Sequence, residues 1–248
     1  MSEHTVRGLS IEHEPVDTPR GTAIIIHGLG GFKEQAHIVA MAQACRERGF
    51  STIRMNTRHA LVGDGSAYAD ASASAAIEDL RTVIAWAREQ SWFTEPLLLA
   101  GHSLGGLAVL EAARSEDVDL LVPVAPVVNG SRIAEFYGRE LVEEWDRTGW
   151  QIRESSSLPG VMKRLRWKPF KEDIMRYDVL SYASTLAIPT LIICGSEDRF
   201  LEQNHALSST MPNADLHVIR GAPHSYKDAA HIAELQNTIR AWIDDQTA

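Results

Sequence analysis

Apolar positions along the chain follow two alternating rhythms. Gly21 to His27 is a short, unbroken, β-branched run that stops at glycines, and Ile38, Met41, Ala42 and Cys45 then recur at helical spacing before Gly49. A strand followed by a helix is the reading. Phe50 to Met55 resumes as a strand, and Ile77, Leu80, Ile84 and Ala87 lay an apolar stripe on a helix whose other face carries Asp79, Arg81 and Arg88. Pro96 to Ala100 reads as a fully apolar strand with a helix from Leu104, and Asp119 to Ala125 as the next strand. Ile188 to Cys194 and Asp215 to Ile219 follow as strands, and Ile232, Leu235, Ile239 and Trp242 mark a terminal helix. This alternation predicts an α/β fold: one mostly parallel sheet with helices on both faces.

The rhythm breaks once. More than fifty residues lie between Val127 and Tyr182, far more than a crossover between core strands needs. The expected organisation is a core of residues 1–126 and 183–248 with an inserted lid at 127–182. Within the insert, Gln151 to Glu154, the turn at Ser155 to Gly160, and Val161 to Trp167 predict a hairpin. Helices are expected beside it, near Arg132 to Arg147 and Glu172 to Ala187.

Composition narrows the function classes. A net charge of −9 over 248 residues argues against non-specific binding to nucleic acid or anionic membranes. The first residues lack the apolar core of a signal peptide, and the longest apolar run, Leu120 to Val128, holds two prolines and is too short to span a bilayer. A cytoplasmic protein without a membrane span is expected. The two cysteines, Cys45 and Cys194, read as buried thiols. The ten histidines show neither H-x-x-x-H nor H-E-x-x-H spacing, and Gly28, Gly30 and Gly31 match neither a Walker loop nor G-x-G-x-x-G, so no metal and no nucleotide cofactor are expected.

Candidate chemistry centres on Gly101-His-Ser103-Leu-Gly105, a G-x-S-x-G pattern with a buried strand before it and a helix after it. A nucleophile on so sharp a turn needs strained backbone, and flanking glycines remove the Cβ atoms that would collide. On this stretch alone, a serine that merely fills a tight turn fits as well. A serine nucleophile also requires a base and an acid. Glu197 and Asp198 lie just past the strand ending at Cys194, and His224 lies just past the strand around Val218. The order Ser, acid, His is that expected of an α/β-hydrolase.

These residues bring the chain to a resemblance. Over nearly its whole length it resembles the α/β-hydrolase superfamily, and within it the small bacterial dienelactone-hydrolase-like, cinnamoyl or feruloyl esterase-like and serine-aminopeptidase-like hydrolases. His27-Gly-Leu-Gly-Gly-Phe-Lys33 resembles their oxyanion loop, and Trp150 to Asp178 resembles their short inserted cap. The resemblance implies Ser103 as nucleophile, Asp198 as acid and His224 as base, with Glu197 and Asp178 as lesser candidates for the acid. His27 and His102 are expected to serve structure.

Backbone N–H groups of Leu104, at a helix start, and Leu29, after the first strong strand, are the expected oxyanion donors. Phe32, Asn56, Trp150 and Trp167 are candidates for contact with substrate, and the loop from Arg58 to Asp64 for the site's border. Residues 128 to 180 carry ten Lys or Arg against nine Asp or Glu. Lys163, Arg164, Arg166, Lys168 and Lys171 cluster there, either as a solvated hairpin face or as an attractor for a carboxylate-bearing or aromatic acyl group. The expected activity is hydrolysis of small carboxylic esters through an acyl-enzyme. Thioesterase, amidase or aminopeptidase chemistry with the same triad, or ligand binding without turnover, are the other readings. Oligomeric state is left open.

Overall fold

A computed structural model describes residues 1–155 and 157–246. The order is β1 (Ser2–Val6), β2 (Leu9–Glu14), β3 (Gly21–Ile26), α1 (Ala36–Arg46), β4 (Phe50–Met55), α2 (Ala73–Arg88), β5 (Leu97–His102), α3 (Leu104–Ala112) and β6 (Leu120–Val124). An excursion follows: α4 (Ile133–Tyr137), α5 (Arg139–Thr148), β7 (Trp150–Glu154), β8 (Met162–Arg166) and α6 (Trp167–Ile174). The chain then returns through β9 (Thr190–Gly195), α7 (Leu201–Thr210), β10 (Ala214–Ile219) and α8 (Ala229–Gln246). Eight strands form one sheet in the order β1-β2-β4-β3-β5-β6-β9-β10, antiparallel at β1, β2 and β4 and parallel elsewhere. This is the mostly parallel α/β sheet expected from the alternation of apolar runs.

Strands β3, β5 and β9 are buried along their whole length because helices cover both faces, so their sequences are apolar runs and do not alternate. Ile38, Met41 and Cys45 of α1 pack with Leu235, Ile239 and Trp242 of α8 on one face. Ile77, Leu80 and Ile84 of α2 pack with Leu107 and Leu110 of α3 on the other. Both cysteines are free and buried, and burial pushes the Cys45 thiol up to about 12. Among the described residues no helix is long and apolar enough to cross a membrane.

Four expectations need correction. Strands β1 and β2 are not expected from periodicity, since Glu3, Glu12 and Glu14 interrupt them. Helix α7 is likewise unforeseen, with Gln203 and Asn204 buried on its inner face. The helix expected over Glu172 to Ala187 instead begins at Trp167, ends at Ile174 and gives way to two single turns, Val179–Ser181 and Ala183–Thr185. Asp79 faces inward: its side chain is fully buried and accepts hydrogen bonds from Arg58 N and Nε at 2.8 and 2.7 Å. The hairpin forms as β7 and β8 paired antiparallel; of its turn, Ser156 lies outside the described residues.

The excursion leaves and re-enters the core at one point. Val179 N donates to Val128 O at 2.8 Å and Gly130 N to Tyr177 O at 2.9 Å. Further out, Ser74 N donates to Asp173 Oδ2 (3.0 Å) and Gln35 Nε2 to Ser157 Oγ (2.6 Å), which hold the excursion over the carboxyl ends of the parallel strands.

Candidate active site

Ser103 sits between the end of β5 and the start of α3 with φ 57° and ψ −113°, a region that L residues avoid. Its neighbours hold it there: Ser103 N donates to Val124 O (2.9 Å), and Ser103 O accepts from Leu107 N and Val127 N (3.1 Å each). The glycines have steric reasons. A Cβ at Gly105 would lie 2.6 Å from the carbonyl oxygens of Ile26 and His27, and one at Gly106 would lie 2.8 Å from Pro126. A Cβ at Gly101 would collide with the Gly105 carbonyl.

Two loops at neighbouring strand ends reach this serine. His224, five residues past β10, places Nε2 2.9 Å from Ser103 Oγ and Nδ1 2.8 Å from Asp198 Oδ2, three residues past β9. Because the carboxylate accepts, Nδ1 carries the proton and Nε2 is left to accept from the hydroxyl. The Asp198 carboxylate has no exposed surface, and its other oxygen accepts from Phe200 N at 2.9 Å. His102 Nε2 donates to the His224 carbonyl at 2.8 Å. Glu197 is exposed, and Asp178 caps the turn at Val179, so neither reaches the imidazole.

The loop after β3 is fixed by a neutral histidine. His27 Nδ1 donates to Gly28 O (2.8 Å) while Nε2 accepts from Thr57 N (3.1 Å), and complete burial pulls its pKa down to about 4. Asn56 Oδ1 accepts from Lys33 N at 2.7 Å, so this side chain anchors the loop and does not face the cavity. The N–H groups of Leu29 and Leu104 find no acceptor among the described residues, and both residues border the space beside Ser103.

Two hollows meet at Ser103. A cavity of about 140 Å³ is lined by Gly28 to Gly31, Gln35, His37, His102, Phe136, Tyr137, Arg153, Ser157, Lys163, His224 and Ser225. An apolar cleft of about 20 Å³ runs to the other side, between Leu29, Leu104, Val127, Ile133, Phe136, Tyr137, Phe170, Ile174 and Phe200. Phe32 lines an adjoining hollow that shares Gln35, His37, Ser157 and Ser225 with the larger cavity.

Trp167 is fully buried within the excursion, packed edge-on to Trp145 with its Nε1 donating to Asp146 Oδ1 at 2.8 Å. Trp150 lies under the Arg164 guanidinium, 5.3 Å from ring centroid to Cζ. Neither tryptophan lines the two hollows, which corrects their expected contact with substrate. Of the loop from Arg58 to Asp64, His59 borders a further small hollow that Leu29 and Gly30 also line. Phe136, Tyr137, Gln35, His37, Arg153 and Ser157 are lining residues that periodicity does not single out. For Arg153 a signal exists: hairpin register places it opposite Lys163 and in phase with Gln151.

Comparison with known proteins agrees with this architecture. A family model described as the alpha/beta hydrolase family matches residues 23–233. Est1E from Butyrivibrio proteoclasticus, solved with ferulic acid bound, is 22% identical over 99% of each chain, with a TM-score of 0.74. Mouse alpha/beta hydrolase domain-containing protein 10 is 20% identical over 96% of this chain and 95% of that one, with a TM-score of 0.75. The esterase domain of a Rhodothermus marinus protein is 19% identical over 99% and 97%, with a TM-score of 0.71. At these identities the structural likeness speaks for fold alone. No curated protein matches the chain by sequence.

Proposed function

The chain belongs to the alpha/beta hydrolase family, and from that premise we propose that it is a serine hydrolase that cleaves carboxylic esters through Ser103, His224 and Asp198. The observation that carries this reading is the continuous hydrogen-bond chain from Asp198 Oδ2 through His224 to Ser103 Oγ, at 2.8 and 2.9 Å. His224 Nε2 takes the proton as Ser103 Oγ attacks the ester carbonyl; Asp198 keeps the imidazole in the required tautomer and stabilises the imidazolium. The developing oxyanion is bound by the N–H groups of Leu29 and Leu104, the latter at the positive end of α3; one such donor contributes about 3 kcal/mol to the barrier reduction. His224 returns the proton to the departing alcohol, and a water attacks the acyl-enzyme by the same route in reverse.

The excursion after β6 acts in this reading as a lid that shapes the substrate cavity, since Phe136, Tyr137, Arg153, Ser157 and Lys163 all come from it. The test is covalent labelling with a fluorophosphonate together with turnover of p-nitrophenyl acetate. Labelling that is lost in Ser103→Ala, with turnover lost in parallel, supports the proposal. Native protein that neither labels nor turns over ester refutes it. Matched thioesters and amino-acid amides in the same assay separate the neighbouring chemistries.

A further inference from the structure

The basic cluster of the hairpin divides in two. Arg166 pairs with Asp70 (2.7 Å), Lys168 with Glu172 (3.8 Å) and Lys171 with Asp146 (2.7 Å), and Arg164 lies on Trp150. All four side chains belong to the surface, as a solvated face would. Lys163 does not. In β8 the alternation puts Met162, Arg164 and Arg166 outward and Lys163 and Leu165 inward, and Lys163 is 3% exposed.

Directly opposite Lys163 in the antiparallel pair stands Arg153, also lining the cavity beside Ser103. Two cations facing each other across a hairpin repel, and an inward strand position ordinarily holds an apolar side chain. Among the described residues neither cation has a carboxylate partner or a side-chain hydrogen bond: the Tyr68 ring stands 6.0 Å from Lys163 Nζ, the Tyr137 ring stands 4.9 Å from Arg153 Cζ, and the Lys163 side chain lies against Gly30. Burial, with a smaller contribution from Arg153, pulls the Lys163 ammonium down to about 8, so it is still mostly charged at neutral pH. An unpaired, desolvated ammonium is costly unless an anion completes it.

The two hollows at Ser103 also differ in which half of an ester they receive. In the proposed mechanism the departing oxygen takes its proton from His224 Nε2 and so leaves on the side of the imidazole. His224 lines the larger cavity, with both cations, and is absent from the lining of the apolar cleft. That cleft, about 20 Å³ between aliphatic and phenyl side chains, suits a small apolar acyl group.

We infer that the substrate is an ester of a small apolar acid with an alcohol or phenol that bears a carboxylate, held by Lys163 and Arg153 in the cavity beside His224. This rests on the proposed roles of Ser103 and His224, and it adds the charge of the leaving half. The carboxylate supplies acceptors for both cations and removes the repulsion between them.

The test uses three esters: 4-acetoxybenzoate, its neutral methyl ester, and phenyl hydrogen adipate, which carries the charge on the acyl half. For each, kcat/KM is compared among native protein, Lys163→Met, Arg153→Gln and Lys163→Arg. The expected result is that the ratio of 4-acetoxybenzoate to methyl ester falls roughly ten- to hundredfold in Lys163→Met, falls in Arg153→Gln, and is largely restored in Lys163→Arg. Calorimetry of 4-acetoxybenzoate on the Ser103→Ala protein, with and without Lys163→Met, reads the same contact without turnover. Hydrolysis of all three esters with a ratio that neither variant moves overturns this inference and leaves the serine-hydrolase reading standing. A native preference for the adipate overturns the assignment of the charge to the leaving half. Absence of all hydrolysis, with anion binding that depends on Lys163, refutes the hydrolase reading and retains the anion site.

Discussion

His102 donates a hydrogen bond from Nε2 to the backbone carbonyl of His224, at 2.8 Å. The residue immediately before Ser103 thus clamps the loop that carries His224. Both ends of the 2.9 Å contact between Ser103 Oγ and His224 Nε2 are thereby tied to one side chain. His102→Phe removes the donor from a fully buried site and leaves the His224 carbonyl unpaired, a loss of about 1 to 3 kcal/mol. The expected outcome is a lower midpoint in urea, a lower kcat on p-nitrophenyl acetate and an unchanged pH profile, because the clamp positions the imidazole and exchanges no proton. Full activity in a stable variant counts against the clamp.

Ser103 holds a conformation that glycine adopts freely and alanine does not. Both Ser103→Ala and Ser103→Gly abolish the hydroxyl chemistry, but only the second relieves the backbone. The glycine variant is expected to exceed the alanine variant in stability by about 1 kcal/mol, read from paired urea melts. Equal stabilities mean that the turn stores no strain.

Gly105 is closed off by backbone. Its missing Cβ would stand 2.6 Å from two carbonyl oxygens at the end of β3, which the sheet holds in place. Gly105→Ala is expected to cost at least about 2 kcal/mol and to displace Leu104, lowering turnover as well. Gly63→Ala is the control: its φ is +61° with nothing within 4 Å of the added methyl, so its cost is backbone strain alone, about 1 to 2 kcal/mol, with activity retained.

Acid sensitivity follows from the buried imidazoles. Burial pulls His27 and His37 each down to about 4, from an ordinary value of 6.5, and His102 well below it. Above pH 6.5 these rings are neutral folded or unfolded and make no pH-dependent contribution. As pH falls from 6.5 towards 4 the unfolded chain gains protons that the folded one refuses, so stability declines by about 1.4 kcal/mol per pH unit for each ring. Urea midpoints measured between pH 7 and 4.5 are expected to fall steeply, and less steeply in His37→Gln. A flat profile contradicts it.

Much of this architecture was readable from residues because parallel strands buried on both faces must be apolar throughout, and those runs end where the site begins. Ser103 and Asp198 each follow such a run, and His224 follows the partly exposed edge strand β10 beside it, so their convergence needed no long-range information beyond strand order. The antiparallel edge strands were not readable. Their glutamates point to no apolar face, and Glu12 is satisfied by Arg54 of β4, a partner that only the folded sheet supplies. Asp79 misled for the same reason: its helix phase places it among charged neighbours, but Arg58 from a distant loop turns it inward. Tryptophans attract attention as pocket walls, yet Trp167 buries its ring against Trp145 because the excursion requires a small core of its own. Lys163 was visible only as one charge among five until hairpin register set it apart.

The excursion's stem, closed by the bonds between Val128 and Val179 and between Gly130 and Tyr177, separates two kinds of inheritance. Residues beyond the stem can change in length or composition while these bonds keep the exit from β6 and the return toward β9 in place, so the cavity's outer wall and the placement of Ser103, Asp198 and His224 are separable features of one chain.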